Sequence, residues 1–172
     1  MDNLRLVAVG LAVVAVDLRF NGADIVTDGI GWVLAFVGLL ALARLHGGFQ
    51  VAAVAAAVGG ISWAGDPWLG IDRDLASWGE VAAQTVVVFA MCTALMTLVP
   101  EKRESANRIR WADLGLGLVA VLVGAMFEGT YDAGPALLIL LLVIPALVVF
   151  VCFLVLLLRC APLAPQPVAA SE

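Results

Sequence analysis

The residues best placed to do chemistry are acidic, and they gather in one early segment. Asp17, Arg19, Asp24 and Asp28 fall within sixteen positions, Asp17-Leu18-Arg19-Phe20-Asn21-Gly22-Ala23-Asp24-Ile25-Val26-Thr27-Asp28-Gly29-Ile30-Gly31-Trp32. Asp24 and Asp28 are four apart, so on a helix they share one face of a first turn, where the positive end of the dipole favours carboxylates. Asp17 and Arg19 would pair with them across a hairpin. The bland outcome is a capping and salt-bridge cluster. The sharper one is a cation site open to the outside, completed by Asp72 and Asp74 if a later loop folds over, because calcium takes six to eight oxygens. Glu80 is the other candidate, with Gln84 one turn on and Thr85 beside it. An ionisable residue inside a membrane marks a functional position by default, although Glu80 follows Trp78 closely enough to reach headgroup water.

Other chemistry is poorly supplied. The three cysteines, Cys92, Cys152 and Cys160, have no metal-binding or redox spacing, and His46 is the only histidine. Zinc needs about three or four N, S or O ligands from the protein. Cys92 and Cys152 would lie at similar depth, where thiols serve as small apolar fillers. Thr93 and Thr97 are expected to bond back to carbonyls four residues earlier, and His46 to face solvent in a turn. Serines and threonines lack a histidine partner, so an intramembrane hydrolase is not expected. No catalytic, cofactor-binding or metal residues are assigned.

The elements that must position these residues follow from composition. Of 172 residues, 63% are hydrophobic and only 13% charged, with net charge −5. A soluble domain has about 25% charged residues and could not cover this much apolar surface. No basic run is long enough for nucleic acid. Six stretches approach the roughly 20 residues a spanning helix needs: Leu4–Phe20, Gly29–Leu45, Phe49–Trp63, Leu75–Val99, Trp111–Glu128 and Pro135–Leu158. Asp28 suits the N-cap of the second, Gly47-Gly48 breaks the chain after it, Pro100 closes the fourth and Pro135 opens the sixth. Pro145 should kink the sixth or free a carbonyl. The first stretch reads as a retained helix; cleavage as a signal would leave five. Residues 1–160 thus form one all-α membrane bundle of three hairpins, and 161–172, with three prolines, a disordered cytoplasmic tail.

Charge orients the bundle. With both termini in the cytoplasm, seven of the nine Lys/Arg residues fall inside: Arg5, Arg44, Lys102, Arg103, Arg108, Arg110 and Arg159. Only Arg19 and Arg73 fall outside, as the positive-inside rule requires. Four of the inner cations sit in PEKRESANRIRW, read as a cytoplasmic loop whose charge serves orientation and could also attract anionic lipid. The acids collect outside. Trp32, Trp63, Trp68, Trp78 and Tyr131 are expected at the outer interface and Trp111 at the inner one. Small residues predict close packing: Gly31, Ala35 and Gly38 on the second helix, Ala52, Ala56 and Gly60 on the third, and Gly117, Val121 and Gly124 on the fifth. The sixth is apolar all round, so much of it should face lipid.

The segment D-x-R-x-x-G-x-D-x-x-x-D-x-x-G, from Asp17 to Gly31, resembles a loop-into-helix pattern of small bacterial, actinobacterial-like multi-pass membrane proteins of uncharacterised activity. It covers the first quarter of the chain and implies a membrane fold without implying an activity. The expected function is therefore that of a non-enzymatic structural or accessory subunit of the bacterial cytoplasmic membrane, with the lipid bilayer, protein partners or other copies of itself as its associates. The alternative is a small cation transporter or channel with an acidic outer vestibule. No charged residue falls at the centre of a predicted span, which argues against a proton relay.

Overall fold

A computed structural model describes residues 3–16, 27–65, 70, 72–126 and 133–162. The described chain is all-helical: α1 Asn3–Val16, α2 Thr27–Leu42, α3 Gly47–Ala64, α4 Arg73–Leu98, α5 Arg103–Met126 and α6 Ala133–Cys160. The expected tail lies almost wholly outside the described residues.

Apolar content and length separate these helices. Gly47–Ala64, Ser77–Leu98 and Leu141–Cys160 are long and apolar enough to cross a membrane; Asn3–Ala15 and Asp28–Leu42 are apolar but shorter. At about 1.5 Å per residue, α1 and α2, with 14 and 16 residues, fall short of a hydrocarbon core about 30 Å thick. Among the described residues there are six helices, three of them both long and apolar enough to span a membrane; α5, with 24 residues, is long enough but is not among the three.

The first four helices pack through small residues. Each helix lies against the next in sequence, and α6 returns to touch α1. Between α1 and α2 the backbones nearly meet: a Cβ added at Gly31 would fall 2.6 Å from the Gly10 carbonyl oxygen, and one at Gly10 2.6 Å from the Ala35 nitrogen. Gly38 gives way to Val7 in the same seam. On α3, Ala52 and Ala56 are fully buried, and Gly59 and Gly60 make room for Trp32 of α2. Gly48 backs onto the Ala90 carbonyl of α4, and Gly79 of α4 onto the Ser62 hydroxyl. Such close approach supplies dispersion contacts between the helices.

The structure bears on several of these expectations. Trp32 is 2% exposed, buried within the bundle, because the glycines of α3 leave a slot its ring fills. The α5 stripe is only partly packed: Gly117 faces Thr85 of α4, with an added Cβ 3.3 Å from its Oγ1, whereas Val121 is exposed. Much of α6 lies open, Leu141, Val143, Ile144, Leu147 and Val148 among it, while Phe150, Phe153, Leu156, Leu157 and Cys160 form a buried face. Pro145 lies inside this helix, as its position in the sequence suggests. The segment PEKRESANRIRW is not a loop. A 3₁₀ turn, Pro100–Lys102, leads directly into α5 at Arg103. Proline at the first position of that turn sacrifices no needed donor, and Glu, Lys, Arg and Ala are strong helix formers.

Candidate functional site

Of the outer acidic cluster, Asp17, Arg19 and Asp24 lie outside the described residues. Asp28 lies half-buried in the first turn of α2, one position inside the helix rather than capping it. Glu80 is half-buried on α4, with Gln84 one turn further on, also half-buried. The contacts beside them set their levels. A Cβ at Gly29 would meet the Trp63 ring at 2.6 Å, and Gly79 abuts Ser62. Asp28 and Glu80 therefore flank the C-terminal end of α3 from its two sides. Asp72 has a cap role: its Oδ1 accepts the Leu75 backbone N–H at 3.3 Å, just ahead of α4. Among the described residues no three His, Cys, Asp or Glu side chains are grouped to hold a metal ion.

The cysteines and His46 have structural surroundings. Cys92 and Cys160 are buried and Cys152 exposed, and all three thiols are free. His46 is half-buried and caps α3, its Nδ1 accepting the Gly48 N–H at 2.9 Å. Thr93 donates to the Phe89 carbonyl at 2.8 Å, four residues back, whereas Thr97 donates to Ala94 at 2.7 Å, three back.

A polar cluster absent from the sequence expectations lies between α4 and α5. Arg110 reaches across to Thr93, donating to its Oγ1 at 3.3 Å, and along its own helix to Asn107 Oδ1 at 2.8 Å. Its guanidinium carbon stands 4.9 Å from the Phe89 ring centre and 5.3 Å from that of Trp111. Phe89 and Trp111 meet edge to face at 6.0 Å. Stacking of this kind fixes a planar cation and lowers the cost of removing it from water. The Nε of Arg110 and Oδ2 of Asp113 are buried without a hydrogen-bond partner. Because α5 begins at Arg103, Asp113 lies ten positions into it, too deep to cap it. The spacing Asn107–Arg110 and Glu104–Arg108, three and four apart, is a helical signal in the sequence, but on a loop it carries no geometry.

Two open apolar grooves run along the outside. One, of about 590 Å³, lies between α2 and α3 and includes Ile30, Val33, Ala57 and Ile61; the other, of about 510 Å³, lies between α3 and α4 and includes Val51, Val54, Val58 and Val86.

Compared with protein-family models, curated proteins and solved structures, the chain matches none.

Proposed function

We propose that the chain is a multi-pass protein of the bacterial cytoplasmic membrane, with six crossings and both termini inside, acting as a non-enzymatic structural or accessory subunit. The observation that carries this is polarity. Among the described residues the buried core contains no polar or charged side chain, and the outward faces are apolar as well, with Val54, Ile61, Val86, Leu141, Leu147 and Val148 exposed. Water would penalise such an exterior, and lipid does not. The shorter α1 and α2 fit a bilayer through local thinning and reaching of polar flanks. A glycine-sealed interior suits a scaffold better than a conduit. Lipid, protein partners and other copies of the chain are the associates this surface suits; nucleic acid is not.

The placement of Asp28 and Glu80 on either side of the end of α3 favours the second reading, a small cation transporter or channel. Cation flux into proteoliposomes separates the two. The structural reading predicts uptake no faster than in empty liposomes. Uptake that is lost in Glu80→Gln contradicts it and establishes the second.

A further inference from the structure

Arg110 and Trp111 sit at the level where the bundle meets the cytoplasmic headgroups in the arrangement proposed above. On α4, the stretch from Phe89 to Ala94 marks that level. Gly48, at the turn between α2 and α3, backs onto the Ala90 carbonyl and the Ala94 methyl. Trp111 stands edge-on to Phe89, and Arg110 reaches Thr93. The guanidinium is thus level with the α2–α3 turn, and α4 and α5 continue beyond it toward the cytoplasm.

The guanidinium is held in place but not saturated. Arginine has five N–H donors; one goes to Thr93, one to Asn107 and the Nε–H is buried, which leaves one N–H on each terminal nitrogen to meet a ligand. Below it, α5 is bare on one side. Trp111, Leu114, Leu118 and Leu122 are 55%, 36%, 61% and 55% exposed, and their spacing of three, four and four puts them on one face. Asp113 comes two residues after Trp111, about 200° round the helix, and so points away from that face. On the cytoplasmic side Lys102 and Arg103 stand beside Glu101, and Glu104 is engaged by Arg108, so the strongest local cation is Arg110 itself.

We propose that this side of α5 binds an anionic phospholipid, its phosphate at Arg110 and an acyl chain along Trp111, Leu114, Leu118 and Leu122. The proposal rests on the membrane reading. A fixed cation with open N–H groups, an aromatic ring at the same depth and an uncovered apolar strip beneath are the three parts such a lipid requires. A zwitterionic lipid has the same tail and phosphate, but its headgroup carries its own countercharge. The recognition should therefore depend on headgroup charge.

Native mass spectrometry of the full chain, released from vesicles of phosphatidylglycerol and phosphatidylcholine, tests this. Retention of phosphatidylglycerol over phosphatidylcholine is expected. Arg110→Gln should lower it about fivefold, one basic side chain's worth of attraction at a membrane surface. Arg44→Gln, an exposed cation at the end of α2, should leave it unchanged, and millimolar inorganic phosphate should not displace the lipid. Equal retention of both lipids by the unaltered protein, an unchanged preference in Arg110→Gln, an equal loss in Arg44→Gln, or displacement by free phosphate each overturns the proposal. If Arg110→Gln does not insert, the headgroup comparison and the phosphate competition still decide. Failure of the unaltered protein to enter either vesicle contradicts the membrane reading itself; insertion without headgroup discrimination contradicts only this inference.

Discussion

Gly31 and Gly115 have the same side chain and opposite surroundings. At Gly31 an added methyl would run into the Gly10 carbonyl oxygen at 2.6 Å and the Val14 nitrogen at 2.9 Å, both backbone atoms that cannot rotate aside. Gly31→Ala should therefore push α1 off α2 and cost about 1–3 kcal/mol, the usual penalty for overpacking. Gly115→Ala meets open space and should be neutral or stabilising by up to about 1 kcal/mol, through helix propensity alone. Reversible unfolding in detergent measures both. Equal effects at the two positions would mean that the Gly10–Gly31 seam is not formed. Half of this seam was legible: the small residues of α2 share a face at helical spacing. Gly10 was not, because it stands alone among Leu and Val, and nothing in α1 itself shows that a glycine opposite requires it. Trp32 shows the reverse limit. Tryptophan near a helix end reads as an interface anchor, and only the slot at Gly59 and Gly60, two helices' worth of geometry, puts it inside.

At the scale of elements, the hydropathy pattern identified six helices because long apolar runs separated by Gly and Pro admit little else. At the start of α5 the pattern misleads, because a dense run of charge also suits a loop. A run of Glu, Lys, Arg and Ala satisfies both the orientation rule and helix propensity, and sequence alone does not say which one governs. The structure makes the first two turns of α5 a charged helix, and Glu104 and Arg108 pair across one turn with both side chains exposed. Such a pair contributes little: Glu104→Gln should lower stability by less than about 0.5 kcal/mol, and the difference should fade in high salt. A loss above about 2 kcal/mol in the same unfolding measurement would show that Glu104 has a packed role the geometry does not indicate. Along α5 the small-residue stripe finds a partner at Gly117, against Thr85 of α4, while Val121 on the same stripe is exposed: small residues allow close approach, but they do not bring a neighbour.

For the whole molecule, two tight helix pairs, α1 with α2 and α3 with α4, are joined through Trp32, and α5 and α6 complete the bundle. The core was largely readable as apolar. The candidate outer site was readable only as a set of residue types: Asp28 and Glu80 come to the same end of the bundle, but Asp17, Arg19 and Asp24 fall outside the described residues, so their relation to that end stays an expectation of the sequence. The central claim is that this bundle crosses the membrane six times with both termini inside. It is tested most directly by one-sided reporter fusions after Gly48, Pro67, Ser105, Tyr131 and the C-terminus. The account predicts that Pro67 and Tyr131 report outside and the other three inside. A reporter at Tyr131 on the cytoplasmic side, with the C-terminus outside, would contradict it, because the acidic segments would then no longer share one face.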